Sequence, residues 1–304
     1  MRFVAGLDGG GTKTAVVVAD EQGGEVLRFA AGPLNYNGQD EASIARNVQD
    51  IIGKIAEACG GLERCAQLCI GTAGVSNPAV VNRLEALVRS CGYAGGLRVI
   101  GDHETALYGA HDRPDGIILI AGTGSICYGR DASGHDHRTG GFGHLIDDEG
   151  SGYSIGRDLL AATVRAHDGR VGRTVIAEMV YERLGVTTVR EIVGFVYDRS
   201  TNKKDIAAIA PILADACAAG DRVALDIASR SASALLELVV PVAERLAMQE
   251  GALAMAGSVL QKNAYVRGAF EAELGRRYPV MTCIAAKHDA AHGAVRMALD
   301  GLNR

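Results

Sequence analysis

Apolar residues near the start of the chain fall into two short runs separated by glycine. Residues 3–8 and 14–19, within FVAGLDGGGTKTAVVVAD, predict two strands joined by a glycine turn. The next apolar pattern has the spacing of a helix and ends at Gly60-Gly61, which predicts an amphipathic helix. Its apolar positions are Ile44, Val48, Ile51, Ile52 and Ile55.

Short apolar runs then alternate with helical patterns as far as residue 111. The segments AQLCIGTAGV and LRVIGD predict strands, whereas AVVNRLEALVRSCG and HETALYGAH predict helices. Alternation of this kind is typical of α/β proteins, so we expect a mostly parallel sheet with helices on both faces.

The opening pattern repeats after HDRPDG, where Pro114 and Gly116 interrupt the chain. Residues 116–134, GIILIAGTGSICYGRDASG, again give a strand, a glycine-rich tip, a strand and an acidic glycine turn. We therefore predict two similar domains with a boundary near Pro114. The second half is more helical, with one helical pattern over 205–220 and another over 221–247 that we expect to kink at Pro241.

Composition and charge exclude several classes of protein. The 304 residues are 48 % hydrophobic and carry a net charge of −5, without the basic stripe of a nucleic-acid-binding protein. No apolar run reaches membrane-spanning length, and the first residues form a strand rather than a signal peptide. The seven cysteines include no C-x-x-C pair, which favours reduced thiols and a cytoplasmic protein.

The first glycine cluster, DGGGTKT at Asp8–Thr14, is neither a Walker A loop nor a dinucleotide fingerprint, because its spacing differs and a strand follows it. Gly10, Gly11 and Thr12 could offer backbone N–H groups and a hydroxyl to phosphate. Asp8 could hold Mg²⁺ through water. A tight turn without a ligand is the alternative.

Two further glycine stretches suit a nucleotide. Gly122-Thr123-Gly124 forms the tip of the repeated hairpin and would grip phosphate as the first tip does. In AMAGSVL, a strand delivers Gly257-Ser258 to the start of a helix, where bare backbone could cover the ribose or adenine. Ordinary turns are the alternative at both places.

Asp102 in VIGDHETAL ends a strand that we predict to be buried. Ligands of open α/β sheets bind at such strand ends. Asp is also a favoured helix N-cap, and DHETAL resembles a helix start. Both roles stay open, since they are compatible.

These stretches, in this order, resemble the sugar kinase and actin-like ATPase superfamily over nearly the whole chain. The resemblance implies an α/β fold of two ribonuclease H-like (actin/hexokinase-like) domains, with ATP and Mg²⁺ in a nucleotide cleft. The domains would span residues 1–113 and 114–287, and the C-terminal helix 288–304 would pack back on the first. It also makes Thr12 and Thr123 phosphate contacts, Gly257 and Ser258 adenosine contacts, and Asp102 the catalytic base.

The stretch GGFGHLIDDEGSGYSIGRDLL at Gly140–Leu160 indicates the branch of the superfamily. Polar groups at fixed spacing on a glycine-rich loop suit sugar hydroxyls, with a solvated acidic loop as the alternative. The stretch resembles the N-acetylglucosamine kinase branch of the BadF/BadG/BcrA/BcrD ATPase family. That resemblance makes Gly141, Phe142 and Asp148 sugar contacts, and AGPLNYNG adds Asn35, with Asn37 as the second choice.

The resemblance implies an amino sugar kinase acting on the C6 hydroxyl of N-acetylglucosamine, working as a homodimer with no nucleic-acid or membrane partner. Phe142 and the extra carboxylate of Asp147 could instead favour glucosamine, and another hexose also stays open. Rival functions are an ATP-driven electron-transfer activator with an iron–sulfur cluster, a sugar-sensing repressor, and a filament-forming or chaperone-like ATPase. The activator and the filament-forming or chaperone-like ATPase give the stretch Gly140–Leu160 no role, and the helix-turn-helix that a repressor would need is not visible before Phe3.

Overall fold

The computed structural model describes residues 1–36 and 40–302, so the alternative sugar contact Asn37 lies outside the described residues. The chain forms two compact units. The N-terminal unit contains residues 1–116 together with the segment that begins at Ala286, and the C-terminal unit contains Ile117–Ala285.

The N-terminal unit is built on a mixed sheet rather than the mostly parallel sheet that we expected. Its strands lie in the order β3-β2-β1-β4-β5. The first three form an antiparallel meander, and β4 and β5 run parallel to β1. Strand β3 was not predicted; it is an edge strand in which Arg28 interrupts the apolar residues and only one face, with Leu27, Phe29 and Ala31, packs against the core. The bounds are β1 (Phe3–Gly9), β2 (Thr14–Asp20), β3 (Glu25–Ala31), β4 (Cys65–Thr72) and β5 (Gly96–Gly101).

The C-terminal unit repeats this plan. Its sheet has the order β10-β9-β6-β7-β8, so a hairpin extended by β8 lies beside two strands that run parallel to β6. The two sheets match strand for strand, which confirms the α/β fold class and the repeated strand–glycine–strand pattern. The bounds are β6 (Gly116–Ala121), β7 (Ser125–Arg130), β8 (Asp136–Gly140), β9 (Gly251–Ala256) and β10 (Met281–Ala285).

Twelve α-helices are present in the described residues. They are α1 (Glu41–Cys59), α2 (Pro78–Ser90), α3 (Asp102–His111), α4 (Gly152–His167), α5 (Val175–Leu184), α6 (Val189–Tyr197), α7 (Lys203–Ala207), α8 (Ile212–Ala218), α9 (Arg222–Arg245), α10 (Ser258–Lys262), α11 (Ala264–Arg277) and α12 (Ala290–Leu302). Along residues 1–36 and 40–302, no helix combines the length and apolarity that spanning a bilayer requires.

Proline lies within two of the predicted helical segments. The pattern over 205–220 is two short helices, α7 and α8, because Pro211 has no backbone N–H and restricts the residue before it. In contrast, Pro241 lies inside the single helix α9.

Helix α12 packs against β1 in the N-terminal unit. Gly6 makes this close approach possible, since a Cβ atom there would lie 2.3 Å from the backbone nitrogen of Val295. Gly293 plays the same part against α3, where a Cβ atom would lie 2.0 Å from the carbonyl oxygen of Thr105. These contacts fix α12 beside β1, which carries Asp8, and beside α3, which begins at Asp102.

Candidate active site

The first glycine hairpin closes through its own backbone. The Gly10 N–H donates to the carbonyls of Asp8 at 3.2 Å and Lys13 at 3.1 Å. A Cβ atom on Gly10 would lie 2.8 Å from the carbonyl oxygen of Lys13, so this position needs glycine. Thr12 is exposed at the tip and Gly11 is half-buried. The tip therefore presents Thr12 and bare backbone outward, as a phosphate site requires.

Asp8 has an unusual electrostatic environment. Burial is the main cause that raises its pKa, from the ordinary 3.8 to about 6. The carboxylates of Asp102 and Asp289 add to this effect, while Lys13 opposes it. A divalent cation would relieve this crowding of negative charge, and carboxylate oxygens are the ligands that Mg²⁺ prefers.

Asp102 is the first residue of α3, directly after β5. Strand register places Asp8 opposite Gly71, and Gly71 opposite Ile100. Asp8 and Asp102 therefore both lie at the carboxyl ends of the parallel strands of this sheet. Strand β5 is a half-buried edge strand and not the buried strand that we predicted.

The structure rejects the interpretation of Asp102 as the cap of α3. Gly101 is the N-cap residue, and Glu104 accepts a hydrogen bond from the Gly101 N–H at 3.2 Å. Asp102 Oδ1 instead accepts the N–H of the adjacent His103 at 3.0 Å, and 46 % of the side chain is exposed. The Asp102 carboxylate is thus accessible at the strand ends.

Asn35 follows β3 in a loop that two hydrogen bonds hold in place. The Asn47 side chain on α1 donates to the Pro33 carbonyl at 2.9 Å. The Thr14 hydroxyl donates to the Gly32 carbonyl at 2.8 Å. Since Thr14 begins β2, the Asn35 loop is tied directly to the first glycine hairpin.

The second glycine hairpin is bound to the start of α4. The Gly122 N–H donates to the Gly124 carbonyl at 2.9 Å, which closes the tip. The Gly122 and Thr123 carbonyls accept the N–H groups of Gly152 at 2.7 Å and Tyr153 at 3.3 Å. This leaves the backbone N–H and hydroxyl of Thr123 for a ligand.

Asp148 connects the sugar-binding stretch to this hairpin. Its Oδ1 accepts the Ser125 N–H at 3.1 Å, and a Cβ atom on Gly124 would lie 2.7 Å from the same oxygen. The side chain is buried, and burial raises its pKa. The alternative of a solvated acidic loop is therefore wrong at Asp148.

Gly141 and Phe142 lie on an open part of the same loop. The Phe142 N–H donates to Asp147 Oδ2 at 2.9 Å, so Asp147 shapes the loop. The Phe142 ring is 62 % exposed, and the guanidinium of Arg138 lies 4.7 Å from its centroid. Gly141 has a φ of +74°, a conformation that favours glycine.

A pocket of about 530 Å³ lies within the C-terminal unit. Gly122, Thr123 and Ser258 are all in its wall, which brings three predicted nucleotide contacts together. Gly257 has a φ of +89°, and a Cβ atom on it would lie 2.3 Å from the Ala121 carbonyl oxygen. This close approach confines Gly257 to glycine and sets the position of Ser258.

Sequence reasoning missed other residues of this pocket wall. They come from α4, α7, α8, α10 and the adjoining loops, and include Ile155, Lys204, Pro211, Asp215, Lys262 and Asn263. No short motif joins them, because the short helices of the C-terminal unit bring them together from distant parts of the chain.

The chain is similar to known proteins along nearly its whole length. The family model described as the BadF/BadG/BcrA/BcrD ATPase family matches residues 5–298. An N-acetylmuramic acid/N-acetylglucosamine kinase of Clostridium acetobutylicum is 36 % identical over 304 residues, which cover 98 % of each chain. An N-acetyl-D-glucosamine kinase of Dictyostelium discoideum is 27 % identical and covers 97 % of each chain.

A similar solved structure is that of a candidate N-acetylglucosamine kinase from Chromobacterium violaceum. It has a TM-score of 0.82 and 24 % identity, and the match covers 98 % of this chain and 99 % of that one. At this identity the likeness shows the fold alone.

Proposed function

The chain belongs to the BadF/BadG/BcrA/BcrD ATPase family, and from that membership we propose that it phosphorylates the C6 hydroxyl of N-acetylglucosamine. It is an ATP-dependent sugar kinase whose kinase relatives act on amino sugars. One observation carries the proposed mechanism: Asp102 is accessible at the strand ends, while Glu104 takes over the helix-capping task.

In the proposed reaction, the C6 hydroxyl oxygen bonds to the γ-phosphorus of ATP, and the bond from that phosphorus to the β–γ bridging oxygen breaks. The hydroxyl proton passes to the Asp102 carboxylate, and ADP and the sugar 6-phosphate leave. Oδ1 of Asp102 accepts the His103 N–H, so we assign proton transfer to Oδ2.

The ATP contacts follow from the two hairpins. We assign phosphate binding to Gly10, Gly11 and Thr12 in one hairpin. The same role falls to Gly122, Thr123 and Gly124 in the other.

Gly257 and Ser258 would contact the adenosine, which the pocket of about 530 Å³ is large enough to hold. Asp8 would hold Mg²⁺, directly or through water, and the bound ion would neutralise charge on the phosphates.

We assign sugar binding to Asn35, Gly141, Phe142 and Asp148. The Asn35 loop and the Asp148 loop are each hydrogen-bonded to one of the glycine hairpins. Within each unit, one glycine hairpin would then position both a sugar contact and a phosphate contact. Such coupling supports phosphoryl transfer, where catalysis depends mainly on positioning.

The electron-transfer activator is the main rival in the family. Its iron–sulfur cluster would need thiols that can reach a metal. All seven cysteines here are free thiols, and five of them are buried. Burial raises the pKa of Cys69 to about 12, which disfavours the thiolate that ligates iron. The thiols of this chain therefore favour the kinase.

A coupled ADP-release assay tests the proposal. The panel contains N-acetylglucosamine, glucosamine, N-acetylmuramic acid and glucose, each with ATP and MgCl₂. We expect the highest kcat/KM for N-acetylglucosamine and loss of turnover in the Asp102→Asn variant.

Phosphate on C6 would be verified by NMR of the product. A preference for glucosamine would overturn the substrate but keep the kinase. ATP turnover that no sugar stimulates would overturn the kinase itself.

A further inference from the structure

Three metal-ligating side chains of the N-terminal unit meet outside the proposed active-site residues. Asp112 follows α3, His288 precedes α12, and His292 lies in the first turn of α12. One ligand atom from each lies within 4.8 Å of the others. We propose that they bind a zinc-class transition-metal dication that links the end of α3 to the start of α12.

The backbone around this triad, Asp112–His288–His292, is held in place before any ion binds. The His288 N–H donates to the Gly109 carbonyl at 3.0 Å, and the Lys287 N–H donates to the Ala110 carbonyl at 3.1 Å. A Cβ atom on Gly109 would lie 2.2 Å from the Asp289 carbonyl oxygen, so the two segments touch. Such preorganisation lowers the cost of assembling a metal site.

The two imidazoles are arranged for a shared ligand. Their rings stack at 4.0 Å between centroids with 27° between the planes. Within the described part of the chain, the structure records no hydrogen bond from either ring. Two protonated rings at this distance would repel each other, whereas two neutral rings can both donate a lone pair to one ion.

Bringing the ligands around an ion requires only small side-chain rotations. A tetrahedral ion with bonds of about 2.1 Å needs ligand atoms about 3.4 Å apart. The present spacing of up to 4.8 Å exceeds this by at most about 1.4 Å. Rotations of the exposed Asp112 and His288 side chains and of the half-buried His292 side chain can supply this distance. Water would fill the fourth position.

The backbone conformation and the helix end at position 112 do not favour an aspartate. It adopts a left-handed conformation with φ of 55°, where glycine or asparagine serves the backbone better. Its negative charge lies at the C-terminal end of α3, where the helix dipole disfavours it. Arg296 Nε approaches Asp112 Oδ1 to 3.4 Å without making a hydrogen bond. A metal ion would satisfy this carboxylate more fully.

The donor set identifies the class of ion. Two imidazole nitrogens and one carboxylate oxygen suit Zn²⁺, Co²⁺ or Ni²⁺, whereas Mg²⁺ and Ca²⁺ prefer oxygen ligands alone. The proposed site therefore differs in chemistry from the Mg²⁺ site that we assign to Asp8.

Calorimetric titration of the chelator-treated full chain with ZnCl₂ tests the proposal, with excess MgCl₂ to fill oxygen-ligand sites. We expect one Zn²⁺ site in the wild type. The Zn²⁺ affinity should fall about tenfold or more in His288→Ala, His292→Ala and Asp112→Asn. Asparagine tolerates the left-handed backbone, so Asp112→Asn keeps the fold.

His135→Ala is the matched control. His135 Nδ1 lies 3.1 Å from Asp131 Oδ2, but within residues 1–36 and 40–302 no third metal-ligating side chain joins this pair, so the replacement of His135 should not change Zn²⁺ affinity. Arg296→Gln should tighten binding, because it removes a competing cation.

Titration with CoCl₂ identifies the ligand atoms. The visible spectrum of tetrahedral Co²⁺ with nitrogen and oxygen ligands should appear in the wild type and vanish in Asp112→Asn. Unchanged Zn²⁺ affinity in the three triad variants would overturn the proposal. An intense near-ultraviolet thiolate band would also overturn it, by assigning the ion to cysteine.

Discussion

Replacing Asp8 with asparagine should stabilise the ligand-free protein near neutral pH. In the folded state the pKa of Asp8 is raised from 3.8 to about 6, chiefly by burial. The folded state therefore binds more protons than the unfolded state between those pH values, and stability falls as pH rises through the window. Above pH 6 the ionised carboxylate carries its full cost in free energy.

The magnitude follows from the same difference in pKa. A change from 3.8 to about 6 corresponds to about 3 kcal/mol at most. The asparagine side chain would be neutral at all these pH values and nearly the same shape. Asp8→Asn should thus exceed the wild type in free energy of unfolding by up to about 3 kcal/mol near pH 7.5, and by almost nothing below about pH 4.

Urea unfolding at several pH values between about 4 and 8 measures this difference. Asp50→Asn is a matched control, because Asp50 makes an exposed ion pair with Lys54 and should change stability by less than about 1 kcal/mol. Mg²⁺ should stabilise the wild type near neutral pH but not Asp8→Asn. A free-energy difference between Asp8→Asn and the wild type that does not change with pH would refute the electrostatic reasoning.

Four other variants test single roles. Asp102→Asn should lower kcat by roughly 10²–10⁴-fold with an unchanged Tm, and a loss of only a few-fold would place the base elsewhere. Glu104→Ala should keep kcat, but its free energy of unfolding in denaturant should fall by about 1 kcal/mol because the helix cap is lost. Asp148→Ala should raise the KM for sugar most. The KM for ATP should rise less, because the substitution releases the Ser125 N–H. An unchanged KM for sugar in steady-state assays would show that Asp148 is not part of the sugar site. Gly257→Ala should lower the Tm and the ATP affinity together, because the added Cβ atom would lie 2.3 Å from the Ala121 carbonyl oxygen. Calorimetry that shows normal ATP binding would contradict this prediction.

Sequence reasoning found the glycine hairpins because their constraint is local. A turn that needs bare backbone must be built from glycine, and Gly10 and Gly257 show this in their close contacts with carbonyl oxygens. Strand pairs with apolar runs, such as β1 and β2, were also visible. These features depend on a few neighbouring residues, which a sequence displays directly.

Other features depend on residues that are distant in sequence. Strands β3 and β8 lie at sheet edges, where Arg28 interrupts the apolar residues of β3 and no large apolar side chain marks β8. The bond between Asp148 and the Ser125 N–H joins residues 23 apart. The triad Asp112–His288–His292 needs the contact of α3 with α12. Tertiary packing creates the Asp148 bond and the triad, so no local pattern predicts them.

The hydrogen bonds of the carboxylates separate the candidates for the catalytic base. Asp148 Oδ1 accepts a backbone N–H in a buried site, and Glu104 accepts the cap N–H, so both carboxylates already have a fixed hydrogen-bond donor. Burial raises the pKa of Asp8 toward that of an effective base, but a bound cation would lower this pKa and occupy the carboxylate. Asp102 combines exposure with a position at the same strand ends as Asp8, which supports the proposal that its carboxylate takes the proton of the substrate hydroxyl. The proposed division of labour, metal at Asp8 and proton at Asp102, therefore follows from their environments rather than from residue type.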